Sequence, residues 1–353
     1  MNTQRATLLI VDDEPFYLEM LTELLSDDYS LLVARNGGQA LRRARGGTRP
    51  DLILLDITMQ EMDGFEVCRK LKHDILTRQI PVIFLTARND VQDELRGLEL
   101  GAVDYVSKPI NGRLLKRRVA THLSLAERHL ALEQLVRERT RELQQTKDAL
   151  VFSMGAMAEM RDRETGNHLI RTGHYVRLLA EALAETRQYG AVLNEPTIDM
   201  IQRAAPLHDI GKIGVPDRIL QKQGPLTDDE QEQMRNHVFY GERLLDDAAG
   251  YLGETRFIQA AREIAGNHHE KWDGSGYPRG KKGDKIPLGA RLMALADVYD
   301  ALTSRRCYKE PIAHEKAVPM ILEGSGTHFD PLVVDAFERK QEKFLEIMNK
   351  HGD

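Results

Sequence analysis

The 353-residue sequence predicts a doubly wound α/β amino-terminal domain, joined by a long helix to an all-α carboxy-terminal domain. Three observations carry that prediction. Early in the chain, short apolar runs end abruptly in polar residues and alternate with helix-like stretches. From Gly112 to Leu150 turn signals almost vanish. Beyond residue 150 the periodicity is helical, and no strand-like alternation of any length recurs.

Residues 8–11 run into Asp12-Asp13-Glu14, residues 52–55 into Asp56, residues 82–85 into Thr86, and Asp104–Ser107 into Lys108-Pro109. Continuous apolar runs of this length suit parallel strands buried on both faces. Between them, residues 16–25 and 66–72 space apolar positions three and four apart, as a helix requires. A doubly wound sheet gathers its polar site at the carboxyl ends of its strands, where each of these polar residues falls. Three carboxylates there would repel one another unless a cation sat among them, and oxygen ligands suit Mg²⁺. Asp56 then reads as a phosphate acceptor, Lys108 as its counter-charge and Thr86 as a hydroxyl donor to the new phosphate. Residues 1–125 resemble the flavodoxin-like receiver domain of two-component response regulators. The resemblance implies Mg²⁺ held by Asp12, Asp13 and Asp56, a sensor histidine kinase as partner, a switch aromatic at Tyr105 and an often-cis peptide at Lys108-Pro109.

Residues 126–149 form the predicted linker. Bases (Arg128, Arg137, Arg139, Arg141, Lys147) balance acids (Glu127, Glu133, Glu138, Glu142, Asp148), which suits a solvated helix rather than a nucleic-acid arm. Leu132, Val136, Leu143 and Leu150 follow 4-3 spacing, interrupted at Arg139 and Thr146. A coiled-coil homodimer and a single solvated helix both fit that pattern.

Hydrophobic residues at 41% and charged residues at 29% describe a soluble globular chain long enough for two cores. No apolar stretch approaches the roughly 20 residues that span a bilayer, and the amino terminus lacks a signal peptide's apolar region. Two cysteines, Cys68 and Cys307, suit a reducing cytosol, so a cytoplasmic protein is expected. A net charge of −6 leaves no basic footprint for nucleic acid, and no membrane association is expected.

In residues 150–353 the expected helices cover residues 149–160, 168–184, 198–207, 230–245, 257–266, 290–302 and 332–348. Gly/Pro-rich breaks fall at 214–224 and 273–289. The most informative run is His268-His269-Glu270-Lys271-Trp272-Asp273-Gly274-Ser275-Gly276-Tyr277-Pro278. Adjacent histidines rarely serve packing, because every ring nitrogen needs a partner, but neutral imidazole is a common metal ligand. His208-Asp209-Ile210-Gly211-Lys212 supplies a second doublet, whose aspartate can bridge two metals. Glu164 and His168, four apart, share one helical face, and Asp297 lies in an otherwise apolar helix where a metal would compensate its charge. So many nitrogen and oxygen ligands exceed one zinc and suggest two or three divalent metals, with iron or manganese favoured. Metals about 3.5–4 Å apart would hold a phosphodiester and lower the pKa of a bridging water.

These motifs, in this order, resemble the HD-GYP family of metal-dependent phosphodiesterases in the HD superfamily. The resemblance implies hydrolysis of cyclic di-GMP to pGpG, with GMP as a further product left open. It implies core ligands at His168, His208, Asp209, His237, His268, His269 and Asp297, and an extra ligand at Glu164 in members that look trinuclear. Asp209 and Lys212 become catalytic candidates, with Lys212 beside the scissile phosphate. Tyr277 and Pro278 complete the signature loop; Arg306 and Lys309 match basic residues that hold guanine and phosphate, supported by Asp300. Cyclic di-GMP and GGDEF-type or other signalling proteins are the implied partners. A catalytically weak binding regulator and a hydrolase of another nucleotide are the rival functions. Outside the motifs, His174, His314, His328, His73, His122, His129 and His351 read as structural or solvated, Trp272 as packing, and Met154, Met157 and Met160 as helix packing.

Overall fold

The computed structural model describes residues 5–87, 91–161, 166–304 and 310–352. The chain divides into two compact units, Met1–Thr140 and Arg141–Asp353. In the first, β1 (Thr7–Val11), α1 (Pro15–Leu25), β2 (Ser30–Ala34), α2 (Gly37–Ala44), β3 (Leu52–Asp56), α3 (Gly64–His73), β4 (Val82–Thr86), α4 (Val91–Glu99) and β5 (Asp104–Ser107) alternate, and α5 (Gly112–Met160) begins. The five strands are all parallel in the order β2-β1-β3-β4-β5, with Leu8 opposite Leu52, Ile53 opposite Val82 and Phe84 opposite Tyr105.

Every residue of β1, β3 and β4 is buried, as expected of runs covered on both faces. The two-residue period splits them between two cores. Leu9, Val11, Ile53 and Leu55 pack on one side of the sheet, and Leu8, Ile10, Leu52 and Leu54 on the other. Each such side chain contributes about 1.5–3 kcal/mol by leaving water. Local signals close the helices. Pro15 opens α1 where its missing N–H is not needed, Asn36 caps α2 by accepting from Gln39, and Asp63 caps α3 by accepting from Glu66. The apolar run at residues 31–34, within β2, was not among the strands expected. It lies at the sheet edge and is only partly buried, so its pattern is not that of a covered strand.

The second unit is helical, and among its described residues the only β pairing is an isolated bridge between Ser325 and Phe329. After the end of α5 come α6 (Gly166–Ala184), α7 (Glu195–Ala204), α8 (Asp217–Leu220), α9 (Asp228–Arg235), α10 (His237–Leu252), α11 (Arg256–Asn267), α12 (Leu288–Thr303), α13 (His314–Glu323) and α14 (Pro331–Lys350). The 3₁₀ turns Ala205–Leu207 and Ile210–Gly214 flank the His208-Asp209 doublet. An aromatic cluster closes the core: Tyr175 stacks on Phe344 at 4.4 Å between centroids, while Tyr299 and Phe337 meet Phe344 edge-on.

Several expectations need correction. Residues 149–160 are the last turns of α5 rather than a separate helix. The α7 helix ends at Ala204, and Pro206 takes the following turn into 3₁₀ geometry. The single helix expected over 230–245 breaks at Asn236, which ends α9 and starts α10. None of α9 is buried whereas α10 buries His237, Val238, Gly241 and Leu245, so the axis changes where burial begins. The α13 helix was not foreseen because Pro319 lies inside it. Met154, Met157 and Met160 are 44%, 58% and 77% exposed, so the packing face of α5 is not theirs; Gly155, Ala158 and Glu159 are the buried residues there. No described helix is long and apolar enough to cross a membrane.

Trp272, the chain's one tryptophan, lies in the second unit and reports on it alone. Phe344→Ala removes the centre of the aromatic cluster and is expected to destabilise that unit by about 3–5 kcal/mol. Denaturant unfolding followed by Trp272 fluorescence checks this; an unchanged midpoint would refute it.

Candidate metal centre

In the first unit, Asp12 and Asp13 directly follow β1 and Asp56 ends β3, so strand pairing brings the three carboxylates together. Their ligand atoms lie within 4.8 Å of one another. Lys108 reaches in from the end of β5, with Nζ 2.8 Å from Asp12 Oδ2 and 2.9 Å from Asp56 Oδ1, and packs 3.8 Å over the Tyr17 ring. The Glu14 and Gln60 amides donate to Asp12 and Asp13. Burial pushes the Asp56 carboxyl up to about 6; the Lys108 ammonium opposes this, and Asp12 and Asp13 add to it. Thr86 is buried at the end of β4, Tyr105 is half-buried in β5, and the Lys108-Pro109 peptide is cis.

The second unit assembles its site from helix ends. His168 lies in the first turn of α6, His208 and Asp209 fall between two 3₁₀ turns, and His237 is the first residue of α10. His268 and His269 follow α11, while Asp297 and Asp300 share α12. Gly211 allows one close approach: a Cβ there would fall 1.9 Å from the His237 carbonyl oxygen, so only glycine lets the doublet's turn lie against α10.

Each buried ring has one nitrogen committed. Nδ1 of His208 donates to Ala205 O (3.0 Å), that of His237 to Met234 O (2.8 Å), and that of His268 to Ile264 O and Ala265 O (3.1 Å each). A neutral imidazole that donates through Nδ1 presents a lone pair at Nε2. Those three Nε2 atoms converge on Asp209: His237 at 3.2 Å and His268 at 3.5 Å from Oδ1, His208 at 3.4 Å from Oδ2. The three nitrogens and Asp209 Oδ1 are buried with no hydrogen-bond partner among the described residues. Leaving such acceptors unsatisfied costs about 1–3 kcal/mol each, which a cation would offset. Asp209, His237, His268 and His269 form one group with ligand atoms within 4.8 Å; Glu159, His168 and His208 form another. The donor set fits divalent metals.

Electrostatics agree with that fit at His268, His269 and Asp209. Burial drives His269 well below the ordinary imidazole value and lowers His268, keeping both neutral as ligands must be. Burial alone would raise Asp209, but Lys212, His208 and His237 hold its carboxyl well below the usual range. Burial would likewise lower His208, yet the adjacent Asp209 carboxylate raises it. Lys212 Nζ lies 2.8 Å from Asp209 Oδ2.

Asp300, expected to support Arg306 and Lys309, is 1% exposed and meets His168. Its Oδ2 lies 2.7 Å from His168 Nδ1, and Arg171 donates to both its oxygens at 2.7 and 2.9 Å. Orienting a ligand histidine through a carboxylate in this way tunes its basicity. Asp297 Oδ1 is 3.7 Å from His168 Nε2. Tyr277 stacks on His269 at 4.7 Å with the Arg235 guanidinium 5.1 Å from its ring, and its peptide to Pro278 is cis. Glu270 fixes that loop by accepting from the Arg279 and Lys281 amides. Glu164, Arg306 and Lys309 lie outside the described residues. The sequence reading missed Glu159 and Arg171. The second carried a signal, its i,i+3 spacing from His168; the first carried none, standing outside every motif.

Fold and site together define a response-regulator receiver joined to a helical domain with histidine–carboxylate clusters that fit divalent metals. Residues 8–120 match the response regulator receiver domain, and residues 130–333 match the HD domain. A probable cyclic di-GMP phosphodiesterase of Vibrio cholerae is 51% identical over 99% of this chain and 81% of that protein. The cyclic di-GMP phosphodiesterase response regulator RpfG of Xanthomonas campestris is 37% identical over 96% of this chain and 89% of that protein. A 3′3′-cGAMP-specific phosphodiesterase of V. cholerae is 41% identical over 58% of this chain and 37% of that protein. The chain belongs to the HD-domain family, in its receiver-coupled HD-GYP branch.

Asp300→Ala would leave Arg171 buried without its carboxylate. The expected cost is about 3–5 kcal/mol, read by Trp272 fluorescence, with metal affinity falling about 10–100-fold as His168 loses its orientation. Equilibrium dialysis against Mn²⁺ checks the second effect, and unaltered binding would refute it.

Proposed function

We propose that this protein is a response regulator that hydrolyses cyclic di-GMP to pGpG, under control of aspartyl phosphorylation at Asp56. The observation that carries the reading is the convergence of three buried imidazole lone pairs on Asp209 beside Lys212. Two or three metals, iron or manganese by the donor set, would supply an activated water and hold the phosphodiester oxygens. His208, Asp209, His237, His268 and His269 are assigned to that cluster, with His168, Asp297 and Glu164 completing it. Lys212 offers a cation to the phosphate being cut. Tyr277 and Pro278 line the pocket, and Arg306 with Lys309 take the remaining phosphate and guanines, since arginine's planar fork matches either.

In the receiver, Asp12, Asp13 and Asp56 are assigned to Mg²⁺, which neutralises the incoming phosphoryl group from a sensor histidine kinase. Thr86 and Lys108 then hold the phosphoryl oxygens, and Tyr105 reports the change. The exposed Leu132, Val136, Leu143 and Leu150 of α5 support a coiled-coil homodimer. Two cysteines, one of them the buried free thiol Cys68, support a cytoplasmic setting where cyclic di-GMP and GGDEF-type partners are met. The similarity to a 3′3′-cGAMP-specific relative gives a second reading, in which the pocket prefers that mixed dinucleotide.

Turnover of cyclic di-GMP and 3′3′-cGAMP by the anaerobically purified full chain, with elemental analysis, tests both readings. Cyclic di-GMP is expected to be cleaved at the higher kcat/KM, and Asp209→Ala to lose both turnover and metal. A metal-replete chain that cleaves neither dinucleotide would overturn the reading.

For the receiver, protons compete with Mg²⁺ at Asp56. Since that carboxyl ionises near about 6 in the folded state, Mg²⁺ affinity is expected to rise with pH through this range. Binding should be roughly tenfold weaker at about pH 5 than at about pH 7. Amide chemical shifts after β3 follow the titration, and the pH dependence should vanish in Asp56→Asn.

A further inference from the structure

We infer that Glu159 supplies a metal-binding carboxylate to the His168–His208 end of the cluster. The inference rests on the metal-dependent reading above and extends it to a residue outside every motif of the chain. Glu159 lies in the penultimate position of α5 and is 1% exposed. Gly155 stands one turn earlier on the same face. A Cβ at Gly155 would fall 2.4 Å from the Pro206 carbonyl oxygen, so glycine alone lets α5 lie this close to the turn that leads into His208. The next turn of the helix therefore delivers Ala158 and Glu159 into the interior, and the acid arrives at the histidines.

Geometry at that point favours a cation. Glu159 Oε1 is 3.5 Å from His168 Nε2, and the ligand atoms of Glu159, His168 and His208 all lie within 4.8 Å of one another. Both rings have their other nitrogen committed, His168 Nδ1 to Asp300 at 2.7 Å and His208 Nδ1 to Ala205 O at 3.0 Å. His168 thus presents its Nε2 to the carboxylate, and His208, whose Nε2 also lies 3.4 Å from Asp209 Oδ2, borders both groups of ligand atoms. Two imidazole lone pairs and a carboxylate, all acceptors, are gathered where water is excluded. Two nitrogens with one oxygen suit the borderline divalent metals that the rest of the cluster suits. Asp297, 3.7 Å from His168 Nε2, adds a further oxygen on the same side.

The test uses the full chain, stripped of metal and reloaded anaerobically with Mn²⁺, with Glu159→Gln and Asp209→Ala measured beside the wild type. Glu159→Gln keeps the size and polarity of the side chain. It is expected to lose about one bound Mn²⁺ per chain on elemental analysis. The metal held by Asp209, His237, His268 and His269 should remain. The thermal midpoint of the metal-free variant, followed by Trp272 fluorescence, should stay near that of the wild type, because glutamine keeps the side chain's shape and hydrogen-bonding capacity. The upward shift produced by Mn²⁺ should shrink. A purely structural carboxylate would behave oppositely, lowering the metal-free midpoint while leaving metal content at the wild-type level, and that result overturns the inference. Full Mn²⁺ in Glu159→Gln alongside depleted Asp209→Ala would sink the role of Glu159 and leave the cluster standing. Wild-type protein that takes up no Mn²⁺ would remove the cluster and the inference together.

Discussion

The second unit depends on how its histidine rings are tied. Nδ1 of His208, His237 and His268 is committed to a backbone carbonyl one helical turn back, and Nδ1 of His168 to Asp300. These bonds fix each ring's orientation and turn every Nε2 inward. A histidine at a helix end can do this because the carbonyls of the preceding turn are within reach of its own ring. The short 3₁₀ turns around His208-Asp209 and the break at Asn236 are therefore the features that aim the ligands. A straight helix through 230–245 would have placed His237 elsewhere.

Around this inward-facing set, the neighbouring residues manage charge. Asp300 is held below the ordinary carboxylate range: burial opposes ionisation, but His168 and Arg171 outweigh it. Its charge is thus retained down to acid pH, and the stability it contributes is lost only as pH falls through its lowered pKa. Arg171 also donates to the His351 carbonyl, tying the end of α14 to the carboxylate that orients His168. The Glu270 carboxylate does for the Tyr277 loop what Asp300 does for His168: it accepts two backbone N–H groups and holds the segment in place. The receiver uses a different balance. Burial, with Asp12 and Asp13 beside it, outweighs the one lysine that Asp12 and Asp56 share, so Asp56 ionises only near 6. That shortfall suits a site built to accept both a divalent cation and a phosphoryl group. The helix α5 enters both units, giving Leu115 and Val119 to the receiver core and Glu159 to the second metal group.

Much of this was legible in the residues themselves. The strands β1, β3 and β4 announce themselves because a strand covered on both faces must be apolar throughout, and the polar residue that ends each run then marks the site. The doublets His208-Asp209 and His268-His269 were legible for a related reason: neighbouring polar rings are costly unless something needs them together. Tyr277 and Pro278 were carried by a contiguous loop. By contrast the apolar run at residues 31–34 within β2 ends in no candidate site residue, and α13 was hidden by an internal proline. The methionines of α5 gave a regular period that turned out to face outward.

What the sequence determined by itself was the identity of the elements and the chemistry available at their ends: a parallel sheet with acids and a lysine at its carboxyl edge, then helices carrying histidines and carboxylates. What only the tertiary structure decided was which of those groups meet. Asp300 belongs with His168 and Arg171 across more than a hundred residues of chain, and Glu159 reaches the histidines because Gly155 admits a close approach to Pro206. Periodicity reports which face of a helix is buried, since that depends only on its own 3.6-residue repeat. It does not report which other buried face lies opposite, because that is settled by packing between elements distant in sequence.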